Sequence, residues 1–146
     1  NLSNIGTGNF LVQLQPSHMT DFNGLQSYIN DPHAVIIDAR SSDRFNCLVD
    51  EPRKGLRRGT IPNSINIPYT ELLNKNKLKP IEELSTIFNK LVKKESKLVF
   101  SCGSGITACI VLVAAVISGF NHLTLYDGSW AEWGSSQYPV ANELIN

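Results

Sequence analysis

Residues 97–115, KLVFSCGSGITACIVLVAA, decide the fold. Lys97 to Ser101 is a short apolar run, as expected for a strand buried on both faces. Cys102-Gly103-Ser104-Gly105 interrupts it. Thr107 to Ser118 is then apolar throughout and closed by Gly119, which predicts a buried helix. The longest apolar stretch, Ile106 to Ile117, is too short to span a membrane. Strand, tight loop and helix in that order form one step of an alternating α/β chain.

The same alternation extends in both directions. Ala34 to Asp38 (AVIID) predicts a second buried strand, preceded by a short helix over Asp21–Asn30 that ends near Asp31-Pro32. Ile61 to Pro68 reads as turn, short strand, turn. Pro80 to Lys94 carries Ile81, Leu84, Ile87, Phe88, Leu91 and Val92 at helical spacing, with Pro80 in the first turn. Leu123 to Tyr126 predicts a further strand, followed by the turn Asp127-Gly128. Phe10 to Leu14 is the one apolar patch near the start and predicts an edge strand. The fold class is therefore α/β, with a central parallel sheet of about five strands and helices on both faces. Ligands of such sheets bind at the carboxyl ends of the strands, where Asp38, Cys102 and Asp127 are all expected.

Composition narrows the function. The chain has 146 residues, 42% of them apolar, with 13 basic residues balancing 13 acidic ones. Neutrality on that scale gives no support to nucleic-acid binding or to membrane-surface attraction. The basic residues cluster at Arg53, Lys54, Arg57 and Arg58 and again at Lys90, Lys93 and Lys94, the latter read as the solvated face of a helix. The cysteines Cys47, Cys102 and Cys109 are odd in number and not closely paired, unlike a secreted disulfide framework. No His/Cys spacing suggests zinc, and neither a metal nor a cofactor is expected. His18, His33 and His122 have no motif context and are expected on the surface.

Cys102 is the candidate nucleophile. Two glycines let the loop turn successive N–H groups inward, and the following helix aims its positive end at the same point. A thiol of pKa about 8.5 is largely protonated at neutral pH, and such a cradle stabilises the thiolate, or the anionic end of a persulfide. Cys109, mid-helix among Ala and Val, is expected in the core. Cys47 lies in a polar loop with no assigned role. Cysteine phosphatases use a similar loop but need an arginine six positions after the nucleophile; that position is Ala108. Phosphate-ester hydrolysis is thereby disfavoured. Asp38 reads equally as a site residue and as a turn residue or ion-pair partner of Arg40. Trp130 and Trp133 are expected to pack the floor of the loop.

Three stretches together resemble the rhodanese family: VIIDARSSDRF (35–45), EPRKGLRRGTIPNSINIPY (51–69) and LYDGSWAEWG (125–134). Within that family CGSGITAC resembles the cysteine loop of 3-mercaptopyruvate sulfurtransferases. Thiosulfate-preferring members have two basic residues after the cysteine, where this chain has Gly103 and Ser104. The resemblance implies a rhodanese-like fold and a sulfurtransferase that carries sulfur as a persulfide on Cys102. Ser104 then matches the serine implicated in proton handling, and Asp38 the aspartate beside the loop. Arg44 and Arg53 match the arginines that bind the substrate carboxylate. Gly103, Gly105, Ile106 and Thr107 complete the loop expected to line the substrate. Thr60 departs from the family, which has histidine at that structural position.

The resemblance is to the C-terminal, catalytic half of two-domain enzymes. Residues 1–16 are accordingly expected to be an N-terminal segment or interdomain linker and residues 17–146 the catalytic domain. A rhodanese-like domain is expected to be missing on the N-terminal side. The expected partners are a small-molecule sulfur donor and a thiol acceptor such as thioredoxin. A reducing compartment, cytoplasmic or mitochondrial, is expected. The chain starts at Asn1 without a signal peptide and reads as a piece whose targeting segment lies elsewhere. Three other readings stay open: a thiosulfate sulfurtransferase, a relay that receives sulfur from another protein, and a non-catalytic binding module, against which the intact cysteine loop argues.

Overall fold

A computed structural model describes residues 8–13 and 15–141. In chain order the elements are β1 (Met19–Thr20), α1 (Phe22–Ile29), β2 (Ala34–Asp38), α2 (Ser42–Phe45), β3 (Ser64–Asn66), β4 (Leu73–Asn74), β5 (Lys77–Leu78), α3 (Ile81–Leu91), β6 (Lys97–Ser101), α4 (Ile106–Ile117), β7 (Leu123–Tyr126) and α5 (Ser129–Trp133). Short 3-10 turns precede β1 at Pro16–His18 and β4 at Tyr69–Leu72. Five strands make one sheet in the order β1-β7-β6-β2-β3, with every neighbouring pair parallel. β4 and β5 form a separate antiparallel pair.

Alternation along the central strands divides the core between the two faces. Ile37, Leu98 and Phe100 point to one face, where Leu84 and Phe88 of α3 and Ala108, Val111, Ala114 and Ala115 of α4 cover them. Ile36 and Val99 point to the other, against Leu25 of α1 and Trp130 and Trp133 of α5. Each such fully buried large side chain contributes about 1.5–3 kcal/mol through removal of apolar surface from water. The Asp21 carboxylate caps α1 by accepting the Gly24 N–H at 2.8 Å.

The expected strands are present except that over Phe10–Leu14, as are the long helices, with ends shifted by a few residues at most. Three readings need correction. Phe10, Leu11 and Val12 form no strand and are more than four-fifths exposed, while Leu14 lies outside the described residues. The edge position beside β7 is taken by Met19–Thr20, beyond Pro16. Cys109 is exposed, not in the core. α4 lays its small residues, Ala108, Ala114 and Ala115, on the sheet, and Cys109 is one residue, about 100° of helix rotation, past Ala108. Cys47 is fully buried although its neighbours are polar. Lys93 and Lys94 lie beyond α3, and Lys94 Nζ is held by the Ser118 carbonyl over the Phe120 ring.

His18, His33 and His122 are exposed, as expected. Thr60 is buried and bridges to Ala141, consistent with a structural position. No helix among the described residues is long and apolar enough to cross a membrane.

Candidate active site

β2, β6 and β7 lie side by side and parallel, so Asp38, Cys102 and Asp127 emerge on one edge of the sheet. The geometry of the cysteine loop is set by the turn that follows β7. The Trp130 N–H donates to the Cys102 carbonyl at 2.9 Å, and the Ala131 N–H to the Gly103 carbonyl at 3.0 Å. A trans peptide carries its N–H opposite its C=O. Carbonyls held toward α5 therefore turn the following N–H groups away from it, toward the sulfur.

Ser129 joins the two ends of the loop. Its Oγ accepts the Cys102 N–H and the Gly105 N–H, both at 3.0 Å, and donates to the Tyr126 carbonyl at 3.0 Å. To do so it takes a left-handed backbone conformation, φ 50°, which costs a non-glycine residue about 1–3 kcal/mol. Gly105 is also left-handed, φ 82°, and a methyl group there would stand 2.7 Å from Asp127 Oδ1 and 2.9 Å from the Asp127 carbonyl. Only glycine fits that position.

Cys102 is 2% exposed. Burial pushes its thiol pKa up, but hydrogen bonds from the Thr107 hydroxyl and from the Ser104, Ala108 and Thr107 N–H groups outweigh this and leave it below its ordinary value. The thiolate is thus favoured in a water-poor setting, the condition for a strong sulfur nucleophile. Thr107 reaches the sulfur with both its hydroxyl and its N–H, and Ser104 with its backbone N–H. Ile106, at the first turn of α4, is 75% exposed.

A buried charge cluster lies beside the loop. Arg40 is 1% exposed and donates from Nε and Nη2 to Asp38, from Nη1 to Glu51 Oε1 at 2.8 Å and from Nη2 to the Gly59 carbonyl at 2.9 Å. Its guanidinium stacks 4.5 Å from the centre of a Trp130 ring. Burial lowers the Arg40 pKa, but Asp38 and Glu51 outweigh it and hold the group above its ordinary value, so it stays charged. Glu51 also accepts Arg44, whose Nε reaches Oε1 at 3.2 Å and whose Nη2 reaches Oε2. The Arg44 guanidinium in turn lies against Gly103.

Of the two readings left open for Asp38, the structure has the ion pair. Its carboxylate is occupied by Arg40, and none of its described hydrogen bonds is to the cysteine loop. Arg53 is exposed, and its guanidinium makes no hydrogen bond or ion pair among the described residues. Arg57 and Arg58 are structural: Arg57 binds the Gly134 and Tyr138 carbonyls, and Arg58 pairs with Asp50. Trp130 packs beneath the loop as expected. Glu51 and Ser129 were not picked out from the sequence, because each acts on partners distant along the chain. Among the described residues no cluster of His, Cys, Asp or Glu is placed to hold a metal.

The model of the rhodanese-like domain family matches residues 22–136. The chain is 42% identical over 129 residues to the 3-mercaptopyruvate sulfurtransferase of Escherichia coli (strain K12), covering 88% of this chain and 46% of that protein. It is 37% identical over 128 residues to Thiosulfate/3-mercaptopyruvate sulfurtransferase 1, mitochondrial, of Arabidopsis thaliana, covering 86% and 34%. The fold matches a crystal structure of an Escherichia coli 3-mercaptopyruvate sulfotransferase with a TM-score of 0.72 at 38% identity, over 86% of this chain and 47% of that one. The chain spans less than half the length of these relatives.

Replacing Ser129 by alanine removes the shared acceptor and strands two buried N–H groups. Each unsatisfied group costs about 1–3 kcal/mol. Urea unfolding of Ser129→Ala is expected to show a loss in that range or above, with faster amide exchange at Cys102 and Gly105. Unchanged stability together with unchanged exchange at those two amides would refute the role of this hydroxyl.

Proposed function

The chain belongs to the rhodanese-like domain family, and from that premise we propose that it moves a sulfane sulfur from 3-mercaptopyruvate, through a persulfide on Cys102, to a thiol acceptor. The observation that carries this reading is the set of donors converging on the Cys102 sulfur. The same donors suit the terminal sulfur of a persulfide, which is also anionic.

In the proposed transfer the Cys102 thiolate attacks the donor's sulfur. The carbon–sulfur bond breaks, and its electron pair leaves on carbon as the enolate of pyruvate. The proton of the donor's thiol passes to that carbon, giving pyruvate and the Cys102 persulfide anion. We assign the proton's path to the hydroxyl of Ser104, whose own backbone N–H donates to the sulfur. An acceptor thiolate, such as that of thioredoxin, then removes the outer sulfur and restores Cys102. Arg44 supplies a guanidinium N–H for the donor's carboxylate, and Arg53 reaches it from the exposed loop once the donor is bound. Gly103, Gly105, Ile106 and Thr107 form the rest of the wall.

In this reading residues 17–146 are the catalytic half of a two-domain protein, and a further rhodanese-like domain closes the site. A reducing compartment, cytoplasmic or mitochondrial, keeps Cys102 as a thiol. Thiosulfate is the second donor reading, favoured by the name of the Arabidopsis relative, a thiosulfate/3-mercaptopyruvate sulfurtransferase.

Mass spectrometry after incubation with mercaptopyruvate is expected to find one added sulfur atom on the Cys102 peptide and none in Cys102→Ser. With a common acceptor, kcat/KM for mercaptopyruvate is expected to exceed that for thiosulfate by about tenfold or more, some 1.4 kcal/mol of transition-state discrimination. Sulfur retained on Cys47 or Cys109, or thiosulfate in the lead, would overturn the reading.

Charge-assisted hydrogen bonds contribute about 1.5–3 kcal/mol each, so losing one costs roughly 10- to 150-fold. Arg44→Ala is expected to fall by a factor in that range in kcat/KM for mercaptopyruvate, and Arg53→Ala by the lower end of it, since the Arg53 guanidinium has no partner among the described residues. Unchanged values in both would refute the carboxylate assignment.

A further inference from the structure

Glu51 is a buried carboxylate that no step of the proposed transfer uses. Its side chain is 2% exposed and lies between two arginines, taking Arg40 on Oε1 and Arg44 on both oxygens. The ion pairs among the described residues isolate a four-membered set: Asp38, Arg40, Glu51 and Arg44. Two carboxylates and two guanidinium groups sum to zero. The one arginine that touches the cysteine loop is therefore charge-compensated from behind.

Glu51 also fixes where that arginine stands. Arg44 spends Nε and Nη2 on the Glu51 carboxylate, a bidentate grip that sets the plane of the guanidinium. Nη1 has no acceptor among the described residues. A methyl group on Gly103 would stand 2.9 Å from Arg44 Nη2 and 3.5 Å from Nη1. The residue after the nucleophile can thus be glycine because a guanidinium occupies the space of its side chain. A side chain there, above all a basic one, would have to push the guanidinium off Glu51.

We propose that Glu51 determines donor selectivity: it cancels the charge of Arg44 and pins it against Gly103, so that the site takes a singly charged carboxylate in preference to a dianion. One oxygen of a carboxylate can bind the unused Nη1 without breaking the Glu51 grip. A dianion brings a second negative charge next to the Cys102 thiolate, and the compensated Arg44 gives it no net positive charge to offset that. This rests on the sulfurtransferase reading for its substrates, but its electrostatic core does not require turnover.

The test compares the unmodified chain with Glu51→Gln, which keeps the shape and removes one negative charge. Binding of sulfate and of pyruvate is measured by calorimetry, and kcat/KM is measured for thiosulfate and mercaptopyruvate. Glu51→Gln is expected to raise sulfate affinity relative to pyruvate by about tenfold, equivalent to about 1.4 kcal/mol. The thiosulfate-to-mercaptopyruvate ratio should rise by a similar factor. Glu51→Asp keeps the charge and should keep both ratios near those of the unmodified chain, even where its KM rises. Unchanged anion selectivity in Glu51→Gln overturns the proposal, whether or not the chain turns over mercaptopyruvate. A shifted anion selectivity in a chain inactive on both donors supports it and sinks only the sulfurtransferase reading.

Should Glu51→Gln fail to fold, Gly103→Ala tests the pinning. Gly103 is not in the left-handed region, so alanine meets no backbone strain there. Its methyl must displace an arginine held by Glu51, and the affinity for pyruvate is expected to fall about threefold or more. An unchanged affinity would mean that Arg44 yields freely and is not pinned.

Discussion

The contact between the Cys102–Gly105 loop and the Ser129–Ala131 turn organises the rest of the site. β6 and β7 are parallel neighbours, so the loops that leave them meet on the same edge of the sheet. Two N–H groups of α5 take the loop's carbonyls, and one serine hydroxyl takes its two outward N–H groups. Of the N–H groups that remain, that of Ser104 donates to the sulfur. Four backbone groups of the loop are satisfied in this one contact, each contributing about 0.5–1.5 kcal/mol net and costing more if left unmade. The left-handed conformations of Ser129 and Gly105 are tolerated because this contact holds them.

The charge cluster beside the loop follows from the same packing. Trp130, whose N–H fixes the loop, also presents its ring to Arg40, and its indole Nε1 donates to the Arg57 carbonyl at 3.0 Å. Arg40 is buried because Asp38, Glu51 and Gly59 satisfy it on every side. Removing one partner of such a cluster is far more costly than the cluster is stabilising, since an uncompensated charge would remain in the interior. The cluster is therefore a rigid base, and its exposed end, Arg44, delivers one guanidinium to the mouth of the cysteine loop. Tyr126 supports the opposite flank: its hydroxyl donates to Glu132 at 2.6 Å, and burial followed by that carboxylate pushes its pKa up, so it stays protonated.

Much of this architecture is legible in the residues. AVIID and KLVFS are short, apolar and β-branched or aromatic, and each became a central strand. The glycines around Ser104 and the helix behind them announce an anion cradle at Cys102. Local pattern fails where phase or distance matters. α4 is apolar all round, so its periodicity could not say which side meets the sheet, and Cys109 fell on the solvent side. Phe10 to Leu14 has the composition of a strand, but the partner edge belongs to Met19–Thr20. The pairing of Asp38 with Arg40, two residues on, is one of the two roles its sequence context offers. Glu51 and Ser129 act across 11 and 27 residues of chain, on Arg40 and Cys102 respectively, and nothing adjacent to them marks those partners.

An anionic sulfur at Cys102 is the state on which the whole chemistry rests, and its titration can be observed directly. The thiolate's ultraviolet absorbance is followed against pH, with Cys102→Ser subtracted, in the native chain and in the same chain unfolded in urea. Cys102 is lowered in the folded protein, so its ionisation stabilises the fold above the unfolded-state pKa, and that contribution is lost as pH falls through the folded-state value. The native midpoint is expected below the unfolded one, with global stability falling over the same interval on acidification. A native midpoint equal to or above the unfolded one would contradict the cradle at Cys102.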